Sequence, residues 1–568
     1  TDIYTLSLHD ALPILASELQ RAKSLKLNHD ERKYRERDDR RNSKYVSAIT
    51  ANFLNGEPLI SIDDQLELTR RFDREVTLEE VNNAVRELVT DKNQVAIMYA
   101  PDKEGLVLPT EQQIESVILA AQQLSYAPYP EPEIAEHLIN QLPKPGSIVS
   151  EKAFKHGFSE WTLSNGMKVY VKKTDFAADA VSMRIQADGG ASVFGDEDIP
   201  NFHLMNSAIT DAGVAQFDAT TLRRMLSGKS VRIQPSVSSR GQVISGGVSL
   251  KDMPTMFELA YLYFTQPRRD TVAFASLVNR THAFLTNRNA SPRVDYNDSV
   301  RAIIYNHHPR LEPVKQETLE KVDYDRILQL YRYLYSDASN FKTVIIGNYD
   351  EQQLRQLVCQ YLAALPATHK NEQVNWKNVP QIVEGSKVCR FRKKMNTPLA
   401  NVGIYYSADV PFSPQSDLEL DFLKRCLSIA YTDSVREEKG GTYGVSVDFD
   451  LNKDDKPNAM LRISYNAAPE RYDELNPIIY QQLANIAKNG PVASSMDKVK
   501  KYLVKQYQQA AITNDYWSYV IWHELDDDAD FDKDYCKMVE EMTAEKVQRM
   551  AQRLLDAHRC IEVTMLSE

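Results

Sequence analysis

The chain has 568 residues, of which 68 are Lys or Arg and 79 are Asp or Glu, so its formal net charge is −11. This acidic balance, without basic stripes interleaved with aromatic residues, excludes a typical nucleic-acid-binding protein. The 42% hydrophobic fraction suits ordinary globular cores. The length predicts about two to four domains, and no run of about 18 apolar residues offers a membrane span.

The cysteines are sparse and widely separated, and none forms a Cys-x-x-Cys pair. An odd, scattered set predicts neither a disulfide framework nor a zinc ribbon. We therefore expect ordinary core or surface thiols at all five positions, which are Cys359, Cys389, Cys426, Cys536 and Cys560.

The first residues differ in character from the charged, helix-rich sequence that follows them. The chain starts at Thr1 rather than at a methionine, and the stretch up to Ile14 resembles a translated sequencing adapter. We expect residues 1–15 to be an artefactual leader and leave them out of the fold prediction.

Three segments share a helix followed by a strand. In two of them the strand begins 19 residues after the residue that opens the helix, from Val76 to Val95 and from Met542 to Ile561. A looser copy runs from Val322 to Thr343. Such self-similarity predicts repeated modules, separated by a proline-rich and a shorter linker. The predicted divisions are 16–101, a linker at 102–149, a module at 150–367, a linker at 368–386 and a module at 387–568.

Both long modules combine strands with amphipathic helices. In the first, Asn165-Gly166 is a strong turn signal inside a hairpin predicted over Trp161–Val171, and a helix is predicted over 253–264. In the second, a strand at 402–406 precedes a helix with apolar residues at helical spacing. Antiparallel strands with helices packed on one face predict two-layer α+β domains.

A helix, a Gly440-Gly441 turn and an alternating strand follow one another in the last module. Arg436 lies at the predicted helix end and Tyr443 at the strand start. Both side chains donate hydrogen bonds, and preorganised donors stabilise the negative charge that develops on a carbonyl oxygen during peptide hydrolysis. The structural alternative makes Tyr443 a core residue of the strand and lets Arg436 balance the helix dipole.

Three markers in this order resemble the pitrilysin/insulinase family of inverzincin zinc metallopeptidases. They are Leu163–Gly166 before its strand, Asp337–Asn340 before the strand at 343–346, and Arg436 with Tyr443 across the double glycine. The resemblance covers residues 16–568 and implies repeated two-layer α/β sandwich modules with the metallohydrolase-like fold of that family.

The resemblance also assigns the modules and the site. Residues 16–101 would be the C-terminal remnant of the second of four homologous domains, 150–367 the third domain and an inactive homologue of the catalytic one, and 387–568 the fourth. Arg436 and Tyr443 would be the catalytic pair, with Tyr443 on the oxyanion and Arg436 on the substrate backbone or a neighbouring carbonyl. The partner would be a peptide or an unfolded polypeptide, in the bacterial periplasm or cytoplasm.

The family's zinc motif, His-x-x-Glu-His, is found at none of the eleven histidines. Where the third domain would place its copy, one histidine remains, His203, without the second histidine or the glutamate. We expect His203 to be a packing residue. Zinc is accordingly expected in the intact parent protein, and neither a metal nor another cofactor is expected on this chain.

Other histidines and carboxylates imitate metal motifs incompletely. His523-Glu524 begins like His-Glu-x-x-His, but Asp527 stands at the place of the second histidine. Adjacent histidines such as His307-His308 point in different directions and rarely bind one ion together. The alternating aspartates Asp526, Asp528 and Asp530 resemble a calcium loop, but Phe531 replaces its glycine and Lys537 its final glutamate. We expect structural roles for all of them.

Three functions remain open. The chain is the C-terminal half of a zinc-dependent metalloendopeptidase whose motif lies in an N-terminal half; or it is the non-catalytic Arg/Tyr subunit of a two-chain peptidase; or it is a degenerate peptide-binding scaffold. In the first two cases its partner is the zinc-bearing half, and the chain alone is predicted to be inactive. A leading remnant of a domain argues against a separate subunit, and Arg436 with Tyr443 argues against a degenerate scaffold.

Overall fold

A computed structural model describes residues 14–38, 40, 42–88, 95–100, 105–123, 137–288, 291–370, 372–395, 397–437 and 444–568. The helices are α1 (Ala16–Arg35), α2 (Asn42–Asn55), α3 (Ile62–Glu75), α4 (Leu78–Leu88), α5 (Glu111–Gln123), α6 (Ile199–Ala212), α7 (Ala219–Met225), α8 (Met253–Thr265), α9 (Thr271–Asn287), α10 (Pro292–Ile304), α11 (Gln316–Leu319), α12 (Tyr324–Leu334), α13 (Glu351–Leu357), α14 (Pro414–Tyr431), α15 (Tyr472–Asn489), α16 (Ala493–Ala510), α17 (Asn514–Asp527), α18 (Tyr535–Glu540) and α19 (Ala544–Asp556). The strands are β1 (Ile148–Ala153), β2 (Ser159–Leu163), β3 (Lys168–Lys173), β4 (Val181–Asp188), β5 (Val231–Val237), β6 (Gly241–Val248), β7 (Lys342–Gly347), β8 (Lys387–Lys393), β9 (Ala400–Asp409), β10 (Val445–Asn452), β11 (Asn458–Ala467) and β12 (Cys560–Ser567).

The chain forms two compact units. The smaller one is built mainly from the described residues up to Leu138, with Thr220–Val231 and Val248–Thr255. Its described part is helical, and α1 packs on α3 around Asp30, which is 1% exposed. The carboxylate of Asp30 accepts hydrogen bonds from Thr69 Oγ1 at 2.7 Å and Gln65 Nε2 at 3.1 Å, and it pairs with Lys26. A buried charge is tolerated here because it is paired and hydrogen-bonded.

The strand predicted at Val95–Met98 is wrong. Residues 95–100 are irregular, and Val95 is 82% exposed. A strand needs a neighbour to pair its backbone groups, and the part of this unit that the structure describes holds no such neighbour. The repeat spacing identified the helix α4 correctly but could not supply a partner for the strand.

The larger unit contains two sheets. One has seven strands in the order β1-β2-β3-β7-β4-β6-β5, and the other has five in the order β10-β11-β9-β12-β8. Antiparallel pairs dominate the described pairings, but β3–β7 and β12–β8 are parallel. The predicted α+β class is confirmed, and the parallel pairs arise because β7 and β12 return to the sheets after long helical connections.

Each sheet is covered on both faces, although the sequence predicted helices on one face only. The five-stranded sheet packs Ile404 and Leu461 against α14, α15 and α19 on one face. Its other face presents Met460, Ile561 and Val563 to Ile304 of α10. Residues that alternate along a strand point to opposite faces, so α10, which precedes the sheet in sequence by about a hundred residues, is its second layer.

Helix α17, from the later part of the chain, packs on the seven-stranded sheet. Val344 and Ile346 on one face of β7 contact Ile521 of α17, and Phe158 and Tyr170 join this cluster. The residues that alternate with them along β7, Thr343 and Ile345, lie on the opposite face of the sheet and are fully buried. The two sheets therefore exchange one covering helix each, which explains why β7 and β12 are almost continuously buried.

The predicted linkers contain some structure. Residues 111–123 form α5 within the first linker, and β1 begins at its end. In the second linker the structure has a short 3-10 turn at Trp376–Asn378. All five cysteines carry free thiols, as expected.

Candidate functional site

The predicted catalytic pair stands where α14 leads to β10. The helix continues past Tyr431 into one π-helical turn, Thr432–Glu437, and β10 begins at Val445. Arg436 lies in the π-helical turn, but its side chain is outside the described part of the structure. Tyr443 belongs to residues 438–443, which also lie outside it. The roles of Arg436 and Tyr443 therefore stay predictions.

The helix that leads to this segment is firmly anchored. Ser413 caps it by accepting a hydrogen bond from Ser416 N at 3.1 Å, and Pro414 occupies its first turn, where the missing N–H costs nothing. Phe422 is fully buried along the helix. At the far end the hydroxyl of Tyr431 donates a hydrogen bond to Ile479 O at 2.9 Å. The turn that carries Arg436 thus projects from a rigid support.

The strand that follows is an edge of its sheet. In the strand order of the five-stranded sheet, β10 has β11 as its neighbour and lies at the end. Val447 is buried on the core face, whereas Asp448 on the other face pairs with Lys424 at 3.0 Å. An edge strand presents unpaired N–H and C=O groups, and such an edge is a place where an extended peptide can add as a further strand.

Comparison with known proteins identifies the family. Residues 321–503 match the model of the peptidase M16 inactive domain. Over 518 residues the chain is 21% identical to a zinc protease PQQL-like protein of Arabidopsis thaliana, covering 88% of this chain and 51% of that protein. It is 21% identical over 473 residues to the probable zinc protease PqqL of Haemophilus influenzae, covering 82% of this chain and 49% of that protein. These matches show that the chain resembles the C-terminal portion of an M16, or pitrilysin/insulinase, metallopeptidase.

Solved structures share the fold of this chain. The crystal structure of the periplasmic protease PqqL from Escherichia coli superposes with a TM-score of 0.68 at 18% identity, over 99% of this chain and 62% of that one. The chain spans about half the length of the curated relatives it matches. No helix among the described residues is long and apolar enough to cross a membrane.

The zinc site of the M16 peptidases does not fit the residues of α6. In α6, the helix that would carry a third-domain copy of the motif, Asn201 uses both ends of its amide within the fold. Its Oδ1 accepts from Asp323 N at 2.9 Å and its Nδ2 donates to Asp198 Oδ1 at 3.3 Å. His203 is mostly surrounded by protein, and burial lowers its pKa. It has no second ligand at the motif spacing, so α6 offers packing rather than a metal site.

The incomplete metal motifs are engaged in local contacts. His523 Nδ1 lies 2.7 Å from Asp527 Oδ2, so the pair that imitated a zincin motif is a hydrogen-bonded turn of α17. Its ring is packed among Phe412, Tyr519 and Phe531. His307 Nδ1 lies 3.2 Å from Glu312 at an exposed corner. His308 instead accepts a hydrogen bond from Arg310 N.

The fold assembles one cluster that no sequence motif indicates. Ligand atoms of His156, Glu524 and Asp530 all lie within 4.8 Å of one another. His156 lies between β1 and β2 and the carboxylates lie in and after α17, so no local spacing connects them. Glu524 and Asp530 were each considered in other motifs, but nothing in their surroundings in the sequence points to His156.

Proposed function

We propose that this chain is the C-terminal part of a zinc-dependent metalloendopeptidase that supplies substrate-binding and oxyanion-stabilising residues. One observation supports this most strongly: a chain with an M16 inactive-domain match spans half the length of relatives named zinc proteases and has no His-x-x-Glu-His motif. The motif would lie in an N-terminal half. In this proposal 16–101 is the end of the second family domain, 150–367 the third and 387–568 the fourth.

Arg436 and Tyr443 are the residues that act on the substrate in this proposal. The hydroxyl of Tyr443 donates a hydrogen bond to the carbonyl oxygen on which negative charge develops, and the guanidinium of Arg436 binds the peptide backbone beside it. The elements that flank this segment in sequence support the proposal, because α14 is a well-anchored helix and β10 is an edge strand to which an extended peptide can add. The substrate is a peptide or an unfolded polypeptide.

The first test reads the genomic sequence upstream of the codon for Ala16. A His-x-x-Glu-His motif in the same open frame is expected, and the segment that encodes it can then be co-expressed with this chain. The reconstituted pair should hydrolyse an unstructured peptide, whereas each half alone should not. A motif on a separate gene would instead favour the two-chain peptidase.

The second test examines the pair of residues. Tyr443→Phe is expected to lower kcat by about 10²-fold because one oxyanion donor is lost, and Arg436→Ala should weaken the apparent binding of the peptide as well. Tyr502→Phe and Arg549→Ala are matched controls on exposed faces of α16 and α19. Normal turnover by both site variants would refute the assigned roles, and peptide binding without turnover in the reconstituted pair would favour a degenerate scaffold.

A further inference from the structure

The turn between β1 and β2 meets the end of α17 in a cluster that the proposed peptidase function does not use. His156 comes from the turn, Glu524 from the last part of the helix and Asp530 from the segment after it. The three groups offer one imidazole nitrogen and two carboxylates, with ligand atoms within 4.8 Å of one another. This is a combination that zinc accepts in proteins.

The spacing is close to what one ion requires. His156 Nε2 lies 3.2 Å from Asp530 Oδ1. Two ligand atoms that each bind zinc at about 2.1 Å in tetrahedral geometry are separated by about 3.4 Å. The third ligand, the carboxylate of Glu524, offers a ligand atom within 4.8 Å of those of the other two.

Two of the ligand atoms are buried without hydrogen bonds. Neither Glu524 Oε2 nor His156 Nε2 has a hydrogen-bond partner, although both are shielded from solvent. The side chain of Glu524 is only 3% exposed. Leaving such a polar atom unsatisfied costs about 1–3 kcal/mol, and buried polar groups in folded proteins nearly always have a partner. A cation between the two atoms would satisfy both.

The surrounding groups orient the ligands as second-shell groups do in metal sites. Asp532 Oδ2 lies 3.8 Å from His156 Nδ1, on the far side of the ring from Nε2. Tyr507 and Tyr516 donate hydrogen bonds to Asp532 Oδ1 at 3.0 and 2.8 Å, which hold that carboxylate in place. A carboxylate on this side of the ring leaves Nε2 free for the metal.

The backbone also directs the imidazole. His156 has φ 55° and ψ 28°, a left-handed conformation that few residues other than glycine adopt. Lys172 Nζ donates a hydrogen bond to His156 O at 2.5 Å, and the Trp517 ring lies 5.8 Å from the imidazole. Asp530 is held in turn, because its Oδ1 accepts from the backbone N–H groups of Asp532 and Lys533. Two of the three ligands are thus preorganised.

Lys155 is the natural competitor for the ion. Its ammonium pairs with Glu524 Oε1, and this hydrogen bond raises the pKa of Lys155. The lysine side chain is 54% exposed, so it can turn to solvent when a cation binds. The carboxylates of Glu524, Asp530 and Asp532 outnumber it and leave the cluster negative.

We infer that His156, Glu524 and Asp530 form a binding site for one Zn²⁺ ion, completed by water, that joins the β1–β2 turn to α17. The imidazole ligand favours zinc over Ca²⁺ or Mg²⁺, which prefer sites made of oxygen alone. The ion fastens α17 to the seven-stranded sheet on which that helix packs. Its role is structural, and the site is separate from the Arg436–Tyr443 segment in sequence.

The test uses the 568-residue chain, stripped of metal and titrated with Zn²⁺, with Co²⁺ as an optical probe. One ion per chain is expected to bind, to raise the thermal midpoint, and in the case of Co²⁺ to quench the fluorescence of Trp517. His156→Asn keeps the left-handed backbone but removes the imidazole ligand. His156→Asn and Asp530→Asn, each as a single variant, should weaken Zn²⁺ binding by at least about 10-fold. His307→Asn is the control, because His307 has the same 3.2 Å separation from a carboxylate at an exposed site.

Lys155→Gln separates this site from a simple ion-pair cluster. Removing the competing ammonium should tighten Zn²⁺ binding, by roughly fivefold, a gain that damaged folding cannot imitate. The inference is overturned if the wild-type chain binds no Zn²⁺, if His156→Asn and Asp530→Asn keep wild-type affinity, or if Lys155→Gln fails to tighten binding.

Discussion

At the scale of single residues, a few buried carboxylates organise this chain through the hydrogen bonds they accept. Asp337, within one of the sequence markers of the family, is 3% exposed. It accepts hydrogen bonds from Ser339 N and Oγ, from Thr368 N at 2.9 Å and from Lys370 N at 2.5 Å. One side chain therefore caps the turn before β7 and also fixes the start of the second predicted linker.

Asp337→Asn should show this role as a pH-dependent loss of stability. Burial by itself opposes ionisation, but the hydrogen bonds from Ser339, Thr368 and Lys370 outweigh it and lower the pKa of Asp337 to about 2. A carboxylate whose folded pKa is depressed stabilises the protein above its unfolded pKa, about 3.9, and this contribution is lost as the pH falls from about 4 to about 2. We expect a loss of about 2 kcal/mol in the free energy of unfolding at pH 7, measured by urea denaturation.

The control for this experiment is Asp350→Asn. Asp350 accepts one hydrogen bond, from Gln353 N at 2.8 Å, at the exposed start of α13. Asparagine caps helices about as well as aspartate. Asp350→Asn should therefore lower the free energy of unfolding by less than about 0.5 kcal/mol. If the difference in free energy of unfolding between wild type and Asp337→Asn persists unchanged down to pH 2, the stabilising role of the ionised Asp337 carboxylate is contradicted.

At the scale of elements, local signals predicted what local interactions stabilise. The Asn165-Gly166 turn between β2 and β3 and the apolar face of α14 were readable because turn chemistry and periodicity lie within a short stretch. β1 and β8 were not predicted, since both are edge strands whose residues are mostly exposed and do not alternate cleanly. β8 is placed by parallel pairing with the distant β12, and β1 by antiparallel pairing with β2, the next strand along the chain.

The same distinction applies to the sites. The Arg436–Tyr443 segment is continuous in sequence and was recognisable, although its side chains lie outside the part that the structure describes. The cluster of His156, Glu524 and Asp530 is assembled by packing of α17 on the seven-stranded sheet, and no spacing rule connects its members.

The docking of α15 on the five-stranded sheet offers an element-scale prediction. Glu562 on β12 is 2% exposed and accepts hydrogen bonds from Tyr472 Oη at 2.6 Å, Tyr480 Oη at 2.7 Å and Asn476 Nδ2 at 3.0 Å. These donors are four residues apart along one face of α15. Glu562→Ala removes the acceptor that these donors share, together with the ion pair to Arg390 Nε at 3.3 Å, and should cost about 3–5 kcal/mol of unfolding free energy.

Single donors should matter much less than their shared acceptor. Tyr480→Phe removes one hydrogen bond to Glu562 while the others remain. We therefore expect it to lower the free energy of unfolding by about 1–1.5 kcal/mol. Glu470→Gln, on an exposed turn before the same helix, should change stability by less than about 0.5 kcal/mol. Equal losses for Glu562→Ala and Tyr480→Phe in chemical denaturation would show that the carboxylate is not the common anchor.

At the scale of the larger unit, the exchange of covering helices couples the two sheets. α10 lies on the five-stranded sheet and α17 on the seven-stranded sheet, each on the face opposite to that sheet's other helices. Neither sheet can expose that face to water without losing an apolar contact. The two sequence modules at 150–367 and 387–568, predicted as separate domains, are therefore expected to unfold together.

Ile521→Ala tests this coupling because Ile521 is fully buried where α17 meets β7. Removing a buried isoleucine side chain costs about 2–5 kcal/mol, and we expect this loss in one shared transition, followed both by tryptophan fluorescence and by far-ultraviolet circular dichroism. Ile512→Ala, 64% exposed just before α17, is the matched control and should change little. Two separate transitions in the wild-type chain, with only one of them shifted by Ile521→Ala, would mean that the exchanged helices cover the sheets without coupling them.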